Sequence, residues 1–406
     1  MPKKYDIIIV GAGIVGQTLA IGAAREGCKV ALIDSAQKPN IDLNRPEKSE
    51  ETGQSEVYGA RVSAISLASE ALLKTLDVWN KITRMQAYTH MHVWDADGFG
   101  DIKFDINSVQ SAASCSALGH IIENDVVNAA LYQTLQSHAN IDYYFNAHVS
   151  QMETSDSSAL VTFTTENDNS IIASGKLLVG ADGANSKVRQ TFAFKQTFWD
   201  YNHHAIVANV TTEHAHHNTA RQAFTPFGPL AFLPLPSPHQ SSIVFSQQND
   251  EAKRLMALPE REFEKALQVA INNHYGQVNL NTGRTSFGLR MRYARQWTCK
   301  HVAIIGDAAH TIHPLAGQGA NLGLSDVETL LTLIQQHGNT LGDVSMLRKY
   351  ERCRKAEALK VIATMEGFKQ LFDGQQPLKK LIRNVGLLGA NNIPGVKAFF
   401  VHHAMG

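Results

Sequence analysis

Cysteine is scarce in this chain, with four residues in 406: Cys28, Cys115, Cys299 and Cys353. None forms a C-x-x-C pair, so neither a zinc site nor a disulfide framework is expected. Reduced thiols in a cytoplasmic protein fit this spacing better. A surplus of charge is missing too, because 37 basic residues balance 37 acidic ones. Without a basic excess, nothing points to nucleic acid as a partner. No apolar run reaches the roughly 18 residues that a spanning helix needs. The N-terminal stretch MPKKYDIIIV has the basic-then-apolar order of a signal peptide. Its apolar run is too short, however, and stops at a glycine fingerprint, so no targeting segment is expected. Internal repeats and low-complexity tracts are absent. Histidine is plentiful, and His214, His216 and His217 cluster. No second ligand motif accompanies them, so the reading is a solvated loop and no metal site.

Hydrophobic residues make up 44% and charged residues 18%, the balance of a globular protein. A chain of 406 residues is too long for one ordinary core, so two domains and a helical tail are expected. Residues 5–10 are a β-branched run followed by Gly11-Ala12-Gly13-Ile14-Val15-Gly16, a helical stretch, a second strand over 29–33 and then Asp34. In that order, Gly11, Gly13 and Gly16 permit a tight turn, close approach of a pyrophosphate and close helix packing. Asp34 stands where a carboxylate can accept hydrogen bonds from a ribose. Two further apolar strands end in glycine and acid. One stops at Gly180-Ala181-Asp182-Gly183, where Ser186 can cap the next helix. The other stops at Gly306-Asp307. The turn Pro314-Leu315-Ala316-Gly317-Gln318-Gly319 then opens a helix through Ala320 and Asn321. Its free N–H groups suit an anionic or electron-rich group. Ligands of open α/β sheets sit at such strand ends.

Residues 35–58 read as a long polar loop, a candidate cover. Arg61 is positioned to reach a phosphate or carboxylate, or lies on the surface. Strands are expected in 91–106, 149–163 and 170–179, and a helix over 125–137. Short strands at 205–210, 220–224, 230–234 and 242–246 suggest an antiparallel second domain. A helix over 259–273 and a strand over 285–293 follow. The tail reads as helices over 327–336, 345–372 and 378–388. Its Lys379, Lys380, Arg383 and Lys397 sit among apolar residues. Such a basic amphipathic stretch either packs on its own domain or lies on an anionic membrane.

Gly11–Gly16 with Asp34, then Gly180–Gly183, then Gly306-Asp307, resemble in order and spacing the flavin-dependent aromatic hydroxylases. More narrowly, the run from His313 to Gly323 with Asp326 is similar to the signature of the ubiquinone-biosynthesis hydroxylases. So are Leu118-Gly119-His120 with Glu123-Asn124, and Phe224-Thr225-Pro226 with Gly228-Pro229-Leu230-Ala231. The resemblance covers most of the chain. It implies an α/β fold with a Rossmann-like FAD-binding domain (residues 1–75, 107–190 and 280–340). An antiparallel-sheet substrate domain (76–106 and 191–279) and a C-terminal helical region (341–406) complete it.

The resemblance further implies that Gly11, Gly13 and Gly16 contact the FAD pyrophosphate and Asp34 the adenosine ribose. Gly306 and Asp307 would face the ribityl chain, and Pro314, Gly317, Gln318, Gly319, Ala320 and Asn321, with His313, the flavin ring. Asp182 and Gly183 would serve both FAD and NAD(P)H, and Arg61 would stand near the flavin. Related chains often carry an acid two positions before that arginine, where this chain has Gly59. The implied reaction is hydroxylation of a polyprenylated phenol, with NAD(P)H as transient reductant, through a flavin C(4a)-hydroperoxide. Only one G-x-G-x-x-G is present, so no resident nicotinamide cofactor is expected. Candidates to activate the phenol are Tyr201, His204, Arg221 and His313, and the substrate wall is expected at 224–235. The implied setting is cytoplasmic or peripheral on the inner membrane, assembled with other ubiquinone-biosynthesis proteins or as an oligomer. Two readings stay open beside it: a hydroxylase of a small soluble phenol, and a flavin- or quinone-binding assembly subunit without turnover.

Overall fold

The computed structural model describes residues 1–39, 58–108, 116–311 and 319–372. Ile7, Ile8 and Ile9 have no solvent exposure. An uninterrupted apolar run of this kind suits a strand covered on both faces. It forms Lys3–Val10, inside a sheet ordered Thr298–Cys299, Val302–Ile304, Ser170–Gly180, Lys3–Val10, Val30–Ile33, Ile141–Tyr144. The last five are mutually parallel. The strands His148–Thr154 and Ala159–Thr164 extend this sheet by antiparallel pairing on Ser170–Gly180. The helices Ile14–Arg25, Asn124–Leu135 and Gly319–His337 pack together here, and the long helix Val344–Phe372 packs on Gly319–His337. All three strand-end motifs therefore lie side by side at the carboxyl edge of one sheet.

A second, nine-stranded sheet is ordered His310–Thr311, Thr285–Ala294, Gln196–Thr212, Gln240–Gln248, Gly228–Pro234, Thr219–Thr225, His90–Asp95, Asp101–Asp105, with Val278–Leu280 also paired to Gln196–Thr212. Its pairings are antiparallel except that of Thr219–Thr225 with His90–Asp95. The helices Asn249–Ala257 and Glu260–Ala270 cover one face, where Leu255, Phe263 and Leu267 meet Leu230, Phe232 and Phe245. A small sheet of Val62–Ile65, Gly119–Glu123 and Gln86–Tyr88 packs against the other face through Ile121, Tyr88 and Ala64.

Several expectations need correction. The strand expected over 285–293 belongs to the second sheet, paired with Gln196–Thr212 from Gln196↔Ala294 to Val207↔Thr285. It was grouped with residues 280–340 because it precedes the next strand-end motif in sequence, but hydrogen bonding places it elsewhere. The helix opened by the glycine-rich turn and the one expected over 327–336 are one continuous helix, Gly319–His337. The strand Ile141–Tyr144 and the helix Asn249–Ala257 were not anticipated. The latter buries only Ala252 and Leu255, too few to mark a period. His216 is not in a solvated loop. It is 2% exposed, and its Nε2 lies 2.9 Å from the Leu235 carbonyl oxygen. Most of the polar loop expected at 35–58, and the tail beyond 372, lie outside the described residues. No described helix is long and apolar enough to cross a membrane.

Candidate active site between the two sheets

A cavity of about 860 Å³ separates the carboxyl edge of the first sheet from the second. Gly13, Arg61, Gly183, Gly306, Asp307, Gly319 and Ala320 line it. Gly11, Gly16, Asp34, Asp182 and Asn321 stand behind the lining. His313, Pro314, Gly317 and Gln318 lie outside the described residues.

The glycines of the fingerprint divide into two kinds. A Cβ on Gly16 would overlap the Gly11 carbonyl oxygen, and one on Gly11, which sits at φ +107°, would overlap the Ala181 carbonyl. Those two are required by the protein's own packing. A Cβ on Gly13 would meet nothing within 4 Å, and the same holds at Gly183 and Gly319. No described protein atom fills those spaces, although Gly183, at φ +75°, has a backbone that itself favours glycine; at Gly13 the open side is the cavity. Gly13 also caps the helix Ile14–Arg25 without any side-chain hydrogen bond, and no acidic residue lies in its first turn. Its leading N–H groups are therefore available to an anion. This uncapped helix end beside a cradle that a side chain would fill is what a dinucleotide pyrophosphate requires, so the residues present fit FAD.

The acids do several jobs. Asp34 accepts hydrogen bonds from Ala12 N and, at 2.7 Å, from Ala36 N, so it braces the fingerprint turn. Asp182 accepts from Lys187 N at 2.6 Å and Val188 N at 3.1 Å, capping the helix Lys187–Thr191; its Oδ1 is buried and without a partner. Ser186 caps the same helix through Arg189 N at 3.0 Å, as the sequence suggested. Asp307 is exposed and opens on the cavity. The surrounding protein raises its pKa, while His310, Arg61 and Arg292 pull it back. Across the cavity, Arg61 lies over the Phe287 ring at 5.5 Å.

Asn321 points away from the cavity. Its Nδ2 donates to Ala64 O at 2.8 Å and its Oδ1 accepts from Ser66 N at 3.0 Å, tying the signature helix to the small sheet. Asp326 is fully buried and accepts from Gly306 N at 2.9 Å, His310 Nε2 at 2.6 Å and Arg354 Nε at 2.8 Å. It thereby fixes the turn that presents Asp307. Sequence reasoning singled out Asp326 but missed His310 and Arg354. It also missed Arg292, which lines the cavity and donates to Ala184 O at 2.7 Å.

Of the phenol-facing candidates, His204 lines the cavity, with its Nδ1 2.8 Å from Asn249 Oδ1. In the tautomer that donates from Nδ1 to this amide oxygen, Nε2 is the acceptor. Arg221 is elsewhere, bonded to the Tyr275 hydroxyl at 2.8 Å. The side chain of Tyr201 is not described. The apolar wall expected at 224–235 is corrected. Leu230 and Phe232 fill the core under the helices, while Ala231, Leu233 and Leu235 fill the opposite one. The cavity's apolar wall is instead Val207, Val244, Phe287 and Leu289.

Comparison with known proteins agrees with this geometry. The family model described as "FAD binding domain" matches residues 4–365. The "Ubiquinone biosynthesis monooxygenase COQ6, mitochondrial" of Danio rerio is 32% identical, covering 97% of this chain and 88% of the relative. The "3-demethoxyubiquinol 3-hydroxylase" of Escherichia coli (strain K12) is 31% identical, covering 100% and 99%. Among solved structures, p-nitrophenol 4-monooxygenase PnpA from Pseudomonas putida DLL-E4 shares the fold, with a TM-score of 0.80 at 16% identity over 100% of this chain and 99% of that one. The chain belongs to the FAD-binding-domain family and, within it, to the ubiquinone-biosynthesis flavin hydroxylases, and it is an FAD-dependent monooxygenase.

Proposed function

We propose that this protein hydroxylates the aromatic ring of a polyprenylated phenol intermediate of ubiquinone biosynthesis, with NAD(P)H as transient reductant and dioxygen as oxygen source. The observation that carries this reading is the two-sided cavity: Gly13, Gly306, Asp307 and Gly319 on one wall, Val207, Val244, Phe287 and Leu289 on the other. Relatives named for ubiquinone biosynthesis support the substrate class. When bound, FAD would supply the redox chemistry, with NAD(P)H as reductant and dioxygen as oxidant, one oxygen atom entering the ring and the other leaving as water.

The chain's own residues bind, orient and exclude water. Gly13, with the uncapped helix end that Gly11 and Gly16 allow to pack in place, holds the pyrophosphate, and Asp34 the adenosine ribose. Asp307 holds the ribityl chain, with Arg61 supplying positive charge across from it. Asp182 keeps the turn carrying Gly183 in place. The helix N-terminus at Gly319 and Ala320, anchored by Asn321, favours negative charge beside the ring, and the family resemblance assigns His313, Pro314, Gly317 and Gln318 to the same flavin-ring environment. His204 Nε2 accepts the phenol's hydrogen bond or proton, which makes the ring more electron-rich. The apolar wall keeps water from the reacting oxygen. Other ubiquinone-biosynthesis proteins and a bilayer surface are the partners this reading names.

The test is a deletion strain analysed by mass spectrometry. It should accumulate a prenylated precursor one hydroxyl short, and the wild-type gene should restore the quinone. An unchanged quinone pool would discard the pathway assignment.

A further inference from the structure

The most unusual surface of the molecule lies beside the cavity mouth. Phe198 is 70% and Trp199 54% exposed, on consecutive residues of one strand. Between Gln196 and Asp200 that strand pairs with Thr285–Ala294 on one side, and its pairing with Gln240–Gln248 on the other begins only at His203. This ribbon thus has one edge open along Gln196–Asp200, and the adjacent aromatics Phe198 and Trp199 are both exposed, while Met291 opposite Trp199 is buried. Lys195, Arg290 and Arg295 are also exposed there. Asp200 is the ribbon's acid, and it is already paired with Arg290 at 3.2 Å. Asp200, Arg290 and Arg292 line the cavity itself, so the ribbon forms part of its rim.

We propose that this ribbon is the protein's docking surface for an anionic lipid bilayer, seated so that the cavity opens towards the membrane. The proposal rests on the reading of a polyprenylated substrate, which resides in a bilayer. Exposed bulky aromatics beside cations are costly in water and favoured at a lipid headgroup boundary. The rings enter the apolar margin and the cations meet lipid phosphates. A membrane so placed brings the ring of a lipid-borne phenol to the rim without taking its chain through water.

Trp199 makes the test direct, because Trp79, Trp94 and Trp297 are buried. The FAD-loaded full chain is mixed with vesicles of phosphatidylcholine alone, or with phosphatidylglycerol added, carrying brominated acyl chains. Flotation with the anionic vesicles is expected, with quenching of tryptophan emission that is absent in W199F. In F198S/W199S the partition coefficient should fall by at least about tenfold, while turnover of a short-chain soluble phenol stays within about twofold of wild type. If F198S/W199S floats as wild type does, or if Trp199 is not quenched, the proposal is overturned. It is equally overturned if the ribbon instead pairs two copies, seen as a wild-type dimer that becomes monomeric in F198S/W199S without either binding vesicles. Loss of short-chain turnover in wild type would count against the hydroxylase reading and leave the vesicle result standing by itself.

Discussion

Arg354 donates its Nε–H to Asp326 at 2.8 Å, and both side chains are buried. One residue belongs to the signature helix and the other to Val344–Phe372. Removing the arginine leaves a buried carboxylate with only His310 and Gly306 N as partners. Arg354→Met should therefore cost about 3–5 kcal/mol in chemical denaturation, with Arg354→Lys recovering part of it. The loss should also follow pH. Burial alone would raise the Asp326 pKa, but His310 and Arg354 outweigh it and hold the pKa below the usual carboxylate range. A lowered folded pKa gives stability that is complete above the unfolded value and disappears as pH falls through the folded one. The gap between wild type and Arg354→Met should be widest near neutrality and narrow towards acid. A gap independent of pH would show that the pair is not the cause.

The fingerprint glycines should separate folding from cofactor binding. Gly16→Ala forces a Cβ onto the Gly11 carbonyl and should destabilise the protein by about 1–3 kcal/mol or more. Gly13→Ala meets no described protein atom within 4 Å, so the apoprotein should melt within about a degree of wild type while FAD affinity drops at least about tenfold. Equal FAD affinity in Gly13→Ala would mean that the open side of Gly13 does not face the cofactor.

Asp307→Ala should weaken FAD binding by about tenfold or more, the effect of losing one hydrogen bond from a charged group. Fluorescence titration of the apoprotein measures it. Removing a carboxylate that is exposed to the cavity should cost the apoprotein little stability, so unchanged FAD affinity would refute the ribityl role directly.

His204→Gln retains a polar side chain next to Asn249 but gives up the imidazole lone pair. It should lower kcat by about a hundredfold with FAD affinity unchanged. A fall in FAD affinity instead would make His204 part of the cofactor wall.

The legible parts of this site are local in sequence. Gly11, Gly13, Gly16 and Asp34 lie within one strand, turn, helix and strand, where backbone demands act on neighbouring residues. Arg354 was not legible, because an arginine within a long helix reads as solvent-facing until packing brings Asp326 beside it. The stretch 224–235 misled for a different reason. Apolar side chains lining a pocket and apolar side chains filling a core on each face of a sheet produce the same pattern. His216 misled through its neighbours, since His214 and His217 give the segment a polar look while a single ring is buried.

The bond from Asn321 to Ala64 spans 257 positions, and the strand Val302–Ile304 completes a parallel sheet begun at Lys3–Val10. During synthesis, the Leu178–Gly180 end of the strand Ser170–Gly180 must therefore wait with one side unpaired until the last third of the chain arrives, its beginning being already paired with Ala159–Thr164. Such late, non-local closure is slow and leaves an adhesive edge in the meantime. The sensitive moment in this protein's life should be its birth, when chaperone supply and translation speed decide how much of it reaches the native state.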